Sequence, residues 1–198
     1  MTPLLLDVRV ADSPEPLGRH VAAATESLQR GDRATALRVY RSVLAARPRH
    51  PATWTSLAAL AVGLGEPAEG RTHAQRVLAG DAGNVDAWVN FGVASWHLNQ
   101  RRDAERALVH ALTLAPGFET PALNLARMWQ GIQRYELAER MLDGALAHNA
   151  GSSMLHQARA ETARLTGDAE VTRRHALAAL ALLLPALAPR DSGPQAQV

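Results

Sequence analysis

The sequence predicts an all-α solenoid of five tandem helix–turn–helix units, and three observations carry that expectation. Steps of 34 residues from Leu17 divide the chain into 17–50, 51–84, 85–118, 119–152 and 153–186 without an insertion. Small residues return at unit position 8 (Ala24, Ala58, Gly92, Ala126, Ala160), and Leu returns at position 28 (Leu44, Leu78, Leu112, Leu146, Leu180). Position 15 is Gly31, Gly65, Asn99, Gln133 and Gly167. The small residues let two helix backbones cross closely while larger apolar neighbours fill the grooves. Gly and Asn accept the left-handed conformation that ends a helix, and Gln133 is the weak member of that set.

The elements follow in chain order. Residues 1–16, MTPLLLDVRVADSPEP, form an extended or disordered leader, because Pro3, Pro14 and Pro16 break any helix. In the first unit Asp32 caps the second helix and Pro48 closes the repeat. In the second, Trp54 and Leu57 are core positions and Pro67 starts the second helix. The third unit, VDAWVNFGVASWHLNQRRDAERALVHALTLAPGF, places Trp88 in the core and ends on Pro116. The fourth keeps the same register. In the fifth, Asp168 caps the second helix, while His156 and Arg159 stand where other units carry aromatic or apolar residues, as expected of a terminal repeat with one wet side. Its second helix is unusually apolar: Leu177, Leu180 and Leu184 form one stripe, with Leu183 and Leu187 beside it. No sixth unit follows to cover them, so this end is a candidate oligomer or partner surface, with fold-back of residues 186–198 as the alternative. A disordered tail is expected over 187–198.

The third unit carries Trp88, Phe91, Gly92, Ala104, Leu108, Ala111, Leu112 and Pro116 at positions 4, 7, 8, 20, 24, 27, 28 and 32. In this it resembles the tetratricopeptide repeat, and the likeness covers residues 17–186. The resemblance implies a right-handed superhelix whose first helices line a concave groove. Carried onto this chain, the groove takes Thr55 and Ser56 from the second unit and Val89, Asn90, Val93, Trp96 and His97 from the third. Leu123, Asn124, Arg127 and Gln130 come from the fourth and Gln157 from the fifth. Similar arrays hold an extended peptide on a ladder of Asn at position 6, the place of Asn90 and Asn124. An amide offers donor and acceptor together, so it can grip a peptide backbone whatever the side chains. Trp96 is the apolar anchor beside Val89 and Val93. The family's carboxylate clamp is not matched: Val21, Thr25, Ser56 and Asp86 occupy its slots, and only Asn90 fits.

Composition narrows the function classes. There is no Cys, so neither disulfide nor thiolate metal site is available. All 21 basic residues are Arg, against 19 acidic ones, a net charge of +2. Without Lys, little titrates above neutrality until about pH 10, so the high isoelectric point says nothing about nucleic acid. Arg101 and Arg102, like Arg173 and Arg174, sit among acidic residues in mixed-charge faces. The eight His make no metal-binding spacing, and no nucleophile or phosphate-loop motif occurs. Neither catalytic residues, cofactor, metal nor nucleic-acid partner is expected. The run 176–188, broken by Pro185, falls short of the ~20 residues a membrane span requires, and no secretory leader is read. The chain is expected to be cytoplasmic, and its Arg- and Ala-rich composition points to a bacterial source. Its expected role is a non-catalytic adaptor that holds an extended segment of another protein in the groove. The alternatives are an accessory subunit that positions a bacterial glycosyltransferase, sulfotransferase, secretion, pilus or flagellar machine through the apolar C-terminal helix, and a secretion chaperone.

Overall fold

The computed structural model describes residues 16–46 and 50–187. Among them are ten helices in five helix–turn–helix pairs: α1 (Pro16–Gln29) with α2 (Arg33–Ala45), α3 (Pro51–Gly63) with α4 (Pro67–Gly80), and α5 (Val85–His97) with α6 (Arg101–Leu114). The last two pairs are α7 (Glu119–Gly131) with α8 (Tyr135–His148), and α9 (Ser153–Thr166) with α10 (Ala169–Leu187). Pro16 belongs to α1 rather than to the leader, and α10 continues past Pro185 to Leu187. The rest of the leader, Pro48, the tail from 188 and the side chains of Leu184 and Leu187 lie outside the described residues.

The turn inside each pair is built the same way five times. Position 15 has positive φ in every pair: 85° at Gly31, 77° at Gly65, 60° at Asn99, 60° at Gln133 and 83° at Gly167. The next residue's N–H reaches back five residues, as from Asp32 to the Ser27 carbonyl (2.8 Å) and from Arg134 to that of Trp129 (2.8 Å). This is the Schellman closure, which satisfies carbonyls that a helix end would leave bare. Asp32 and Asp168 then accept from the N–H of Thr35 and Val171, each at 3.0 Å, and Pro67 opens α4.

Within a pair the helices cross at positions 8 and 20. A methyl at Gly70 would lie 2.8 Å from the Ala58 carbonyl oxygen, and one at Gly92 would lie 2.8 Å from Leu108 Cγ. Between pairs, each first helix packs on the preceding second helix, and successive first helices touch one another. The backbones of the second helices lie farther apart, although the Tyr40 hydroxyl of α2 still reaches His73 Nε2 of α4 at 2.8 Å. An inner row in contact and an outer row splayed apart make a curved α-solenoid, with the core running along the seam through Leu57, Leu60, Val93, Leu108, Leu125 and Leu142.

Two expectations change. Trp54 is buried, but Trp88 is only half-buried: its indole donates to the Ala82 carbonyl at 2.8 Å and meets His110 edge-on. Arg159, expected on a wet terminal face, is 8% exposed. Its guanidinium donates to Asp143 at 2.8 Å and Glu139 at 3.1 Å, so a charged joint replaces the apolar one used between other units.

Candidate functional site

Three surfaces could receive a partner. The first is the inner row of first helices, which carries the residues expected in the groove. The structure divides them. Val89, Asn90, Val93, Leu123 and Asn124 are all at 1% exposure or less, so they are interior rather than open groove residues. The physical reason is the close approach of successive first helices, which takes these positions into the seam between units. Trp96, Arg127, Gln130, Thr55 and Ser56 are half-buried, and His97 and Gln157 are exposed.

The two amides on this row that have described partners tie units together. Asn90 Nδ2 donates to the Thr55 carbonyl at 3.1 Å, binding α5 to α3, and Gln130 Nε2 donates to Thr162 Oγ1 at 2.8 Å, binding α7 to α9. The donor half of the expected Asn grip is therefore already engaged at Asn90. Its other half is not: Asn90 Oδ1 is buried without a hydrogen-bond partner. The hydroxyls of Thr55 and Ser56 bond back to the Pro51 and Ala52 carbonyls of their own helix. Trp96 leans on the core, with the Arg101 guanidinium 5.8 Å from its ring centroid. Burial holds the Arg127 pKa below its ordinary value, yet an Arg stays charged at neutral pH.

The second surface is the C-terminal end. Leu177, Leu180 and Leu183 are 59%, 50% and 37% exposed, and Leu182, which the stripe reading passed over, is 39% exposed. Leu180 and Leu183 border a cavity of about 310 Å³ between α9 and α10, floored by Ala160, Ala176 and Ala179. Beside it His156 and His175 meet Nδ1 to Nδ1 at 2.9 Å. Burial, then the His156, Arg159 and Arg174 charges, holds His175 below its ordinary pKa against the opposing pull of Asp143.

The third surface is a cleft of about 530 Å³ on the outer side, between α6 and α8. Leu112, Trp129, Leu137 and Met141 line it, with Arg140 and His148 also on its wall. It opens where the second helices splay. Its signal was present in the sequence: position 11 is Trp129 in the fourth unit but Ser27, Ala61, Ser95 and Ala163 elsewhere. Among the described residues no group of three His, Asp or Glu could hold a metal, and no helix is long and apolar enough to cross a membrane.

No protein-family model and no curated protein matches the chain. Solved structures do match. A thermophilic tetratricopeptide-repeat protein from Thermus thermophilus superposes with a TM-score of 0.64 at 19% identity, over 88% of this chain and 93% of that one. Two crystal structures of MamA superpose with TM-scores of 0.61 and 0.59 at 18% and 17% identity. They cover 82% and 94% of this chain, and 95% and 100% of theirs. At such identities the likeness is one of fold: this is a tetratricopeptide-type α-solenoid.

Proposed function

We propose that the chain is a non-catalytic scaffold that holds an extended segment of a partner protein along its row of first helices. The observation that carries this reading is that three successive first helices keep accessible side chains along that row: Trp96, Arg127 and Gln130 are half-buried and His97 and Gln157 exposed, with the half-buried Thr55 and Ser56 one unit earlier. Val89, Val93, Leu123 and Asn124 shape the wall from within. The partner is a protein or extended peptide rather than a nucleic acid, since the row carries no run of cations.

The test is affinity capture from native lysate with three baits: wild type, Trp96→Ala/Arg127→Ala, and Leu180→Asp/Leu183→Asp. Each bait is first checked for native helicity. A partner lost with the first pair and kept with the second supports the reading; the reverse pattern discards it.

The leucines of α10 favour a second reading, in which the chain docks another body through its C-terminal end and so positions it. Four leucines at 37–59% exposure on one helix are a larger apolar display than a solvated end requires.

A further inference from the structure

We infer that the cleft between α6 and α8 receives an aromatic side chain of a different protein, carried on an acidic segment. This outer surface is independent of the first-helix row.

The repeat itself shows which group fits. In the third unit Trp88 stands at position 4; its indole donates to the Ala82 carbonyl at 2.8 Å and meets the His110 ring edge-on, 4.7 Å between centroids. In the second unit Trp54 stands at the same position, with the Arg76 guanidinium 4.1 Å from its ring centroid. His110 and Arg76 both occupy position 26, so a ring at position 4 against a long side chain at position 26 is a recurring joint. One 34-residue step beyond Trp88 and His110 stand Ala122 and Gly144, and Pro116 stands one step beyond Ala82. The fourth unit has therefore lost both large members of the joint. Gly144 and Pro116 line the cleft of about 530 Å³, which lies inside the array between two complete units.

The remaining walls suit a ring. Trp129, 7% exposed, closes the floor, and the half-buried Met141 stands beside it. A ring packs on both, through ring–ring and sulfur–ring contacts that an aliphatic chain does not make. An indole entering as Trp88 does would donate to the Pro116 carbonyl, the counterpart of that of Ala82.

Charge sets what flanks the ring. Arg140 and His148 are exposed on the wall, and no Asp or Glu lines it. Arg140 Nε donates to the Glu136 carbonyl of its own helix at 3.4 Å, and His148 Nδ1 to the Gly144 carbonyl at 2.9 Å. Neither side chain is ion-paired among the described residues. A carboxylate next to the bound ring gains a charge-assisted hydrogen bond from the guanidinium, whereas a cation there meets like charge.

The chain has no ring of its own to offer. Its four Trp, two Tyr and two Phe all lie within the described residues, and each is buried or half-buried. Residues 1–15, 47–49 and 188–198 contain none. Neither its ends nor a second copy therefore supplies the anchor.

Titration calorimetry of the full chain with the peptide acetyl-GDEWDG-amide reads the answer. A dissociation constant of at most about 1 mM is expected. Replacing the peptide's Trp by Ala, or its acids by Arg, should weaken binding at least ~10-fold. Gly144→Leu adds a side chain to the cleft wall at a helix position where a Cβ meets nothing within 4 Å, so it should keep its far-UV helicity and lose the peptide. Arg140→Glu should shift the preference to acetyl-GRRWRG-amide. Any of four results overturns the inference: no binding to the wild type, binding indifferent to Gly144→Leu, binding indifferent to the peptide's Trp or to the sign of its charges, or N-acetyltryptophan binding as tightly as the peptide, which would make the occupant a small aromatic acid.

Discussion

The Arg159 guanidinium of α9 meets the Asp143 carboxylate of α8 at 2.8 Å, with the Arg side chain 9% exposed and the Asp 55% exposed. The fourth and fifth units are thus joined by a charge that one side buries and the other keeps partly in water. Removing the Arg leaves Asp143 free to hydrate, so Arg159→Ala should cost about 1–3 kcal/mol, below the 3–5 typical of a fully buried pair. Urea unfolding checks the value, and a double-mutant cycle with Asp143→Ala isolates the pair.

Gln133 holds a φ of 60° at a position where three other units carry Gly. The left-handed conformation costs a non-Gly residue about 1–2 kcal/mol, part of which returns as the greater chain entropy of an unfolded Gly. Gln133→Gly should therefore stabilise the protein by about 0.5–1 kcal/mol. Asn99→Gly should gain less, because Asn tolerates the conformation better. Thermal unfolding of the two variants measures both effects.

Gly70 sits inside α4, where Ala would ordinarily be the better helix former by about 1 kcal/mol. Here a Cβ would lie 2.6 Å from Val62 Cγ2 and 2.8 Å from the Ala58 carbonyl oxygen. Overpacking at a helix crossing costs about 1–3 kcal/mol, so Gly70→Ala should destabilise on balance. Equilibrium denaturation in urea gives the sign.

His73 and His175 make stability fall in acid. Burial leads in holding both below the ordinary histidine pKa; at His73 the Arg76 charge adds to it and Glu69 opposes it. The unfolded chain, with histidines near 6.5, takes up protons first as the pH drops. Stability is then complete above about pH 7 and drains away as the pH falls through the lowered folded values. At His73 protonation would also fix Nε2 as the donor in its 2.8 Å contact with the Tyr40 hydroxyl. Unfolding midpoints at pH 8 and pH 5.5 should differ, and His175→Gln should reduce the difference.

Local chemistry made much of this architecture legible in the residues. Gly31, Asn99 and Gly167 mark turns because few residues accept positive φ; Asp32 and Asp168 mark helix starts because a short carboxylate reaches the N–H three residues on. Ala58 with Gly70, and Gly92 with Ala104, mark crossings because no larger pair fits. What resisted reading depends on how neighbouring units lie together. Asn90 and Val93 have the spacing of an open inner face, yet the tightness of successive first helices puts them inside. Arg159 reads as solvated until Glu139 and Asp143, 20 and 16 residues earlier, are brought beside it. Trp129 announces only that its unit differs; the cleft it floors needs the splay of α6 from α8.

Amide hydrogen exchange of the captured partner complex tests the central claim most directly. Slowed exchange in α5 and α7, the helices that carry Asn90, Trp96 and Arg127, is the predicted footprint. Slowing confined to α10, or to the walls of the α6–α8 cleft, would contradict a partner held along the first-helix row.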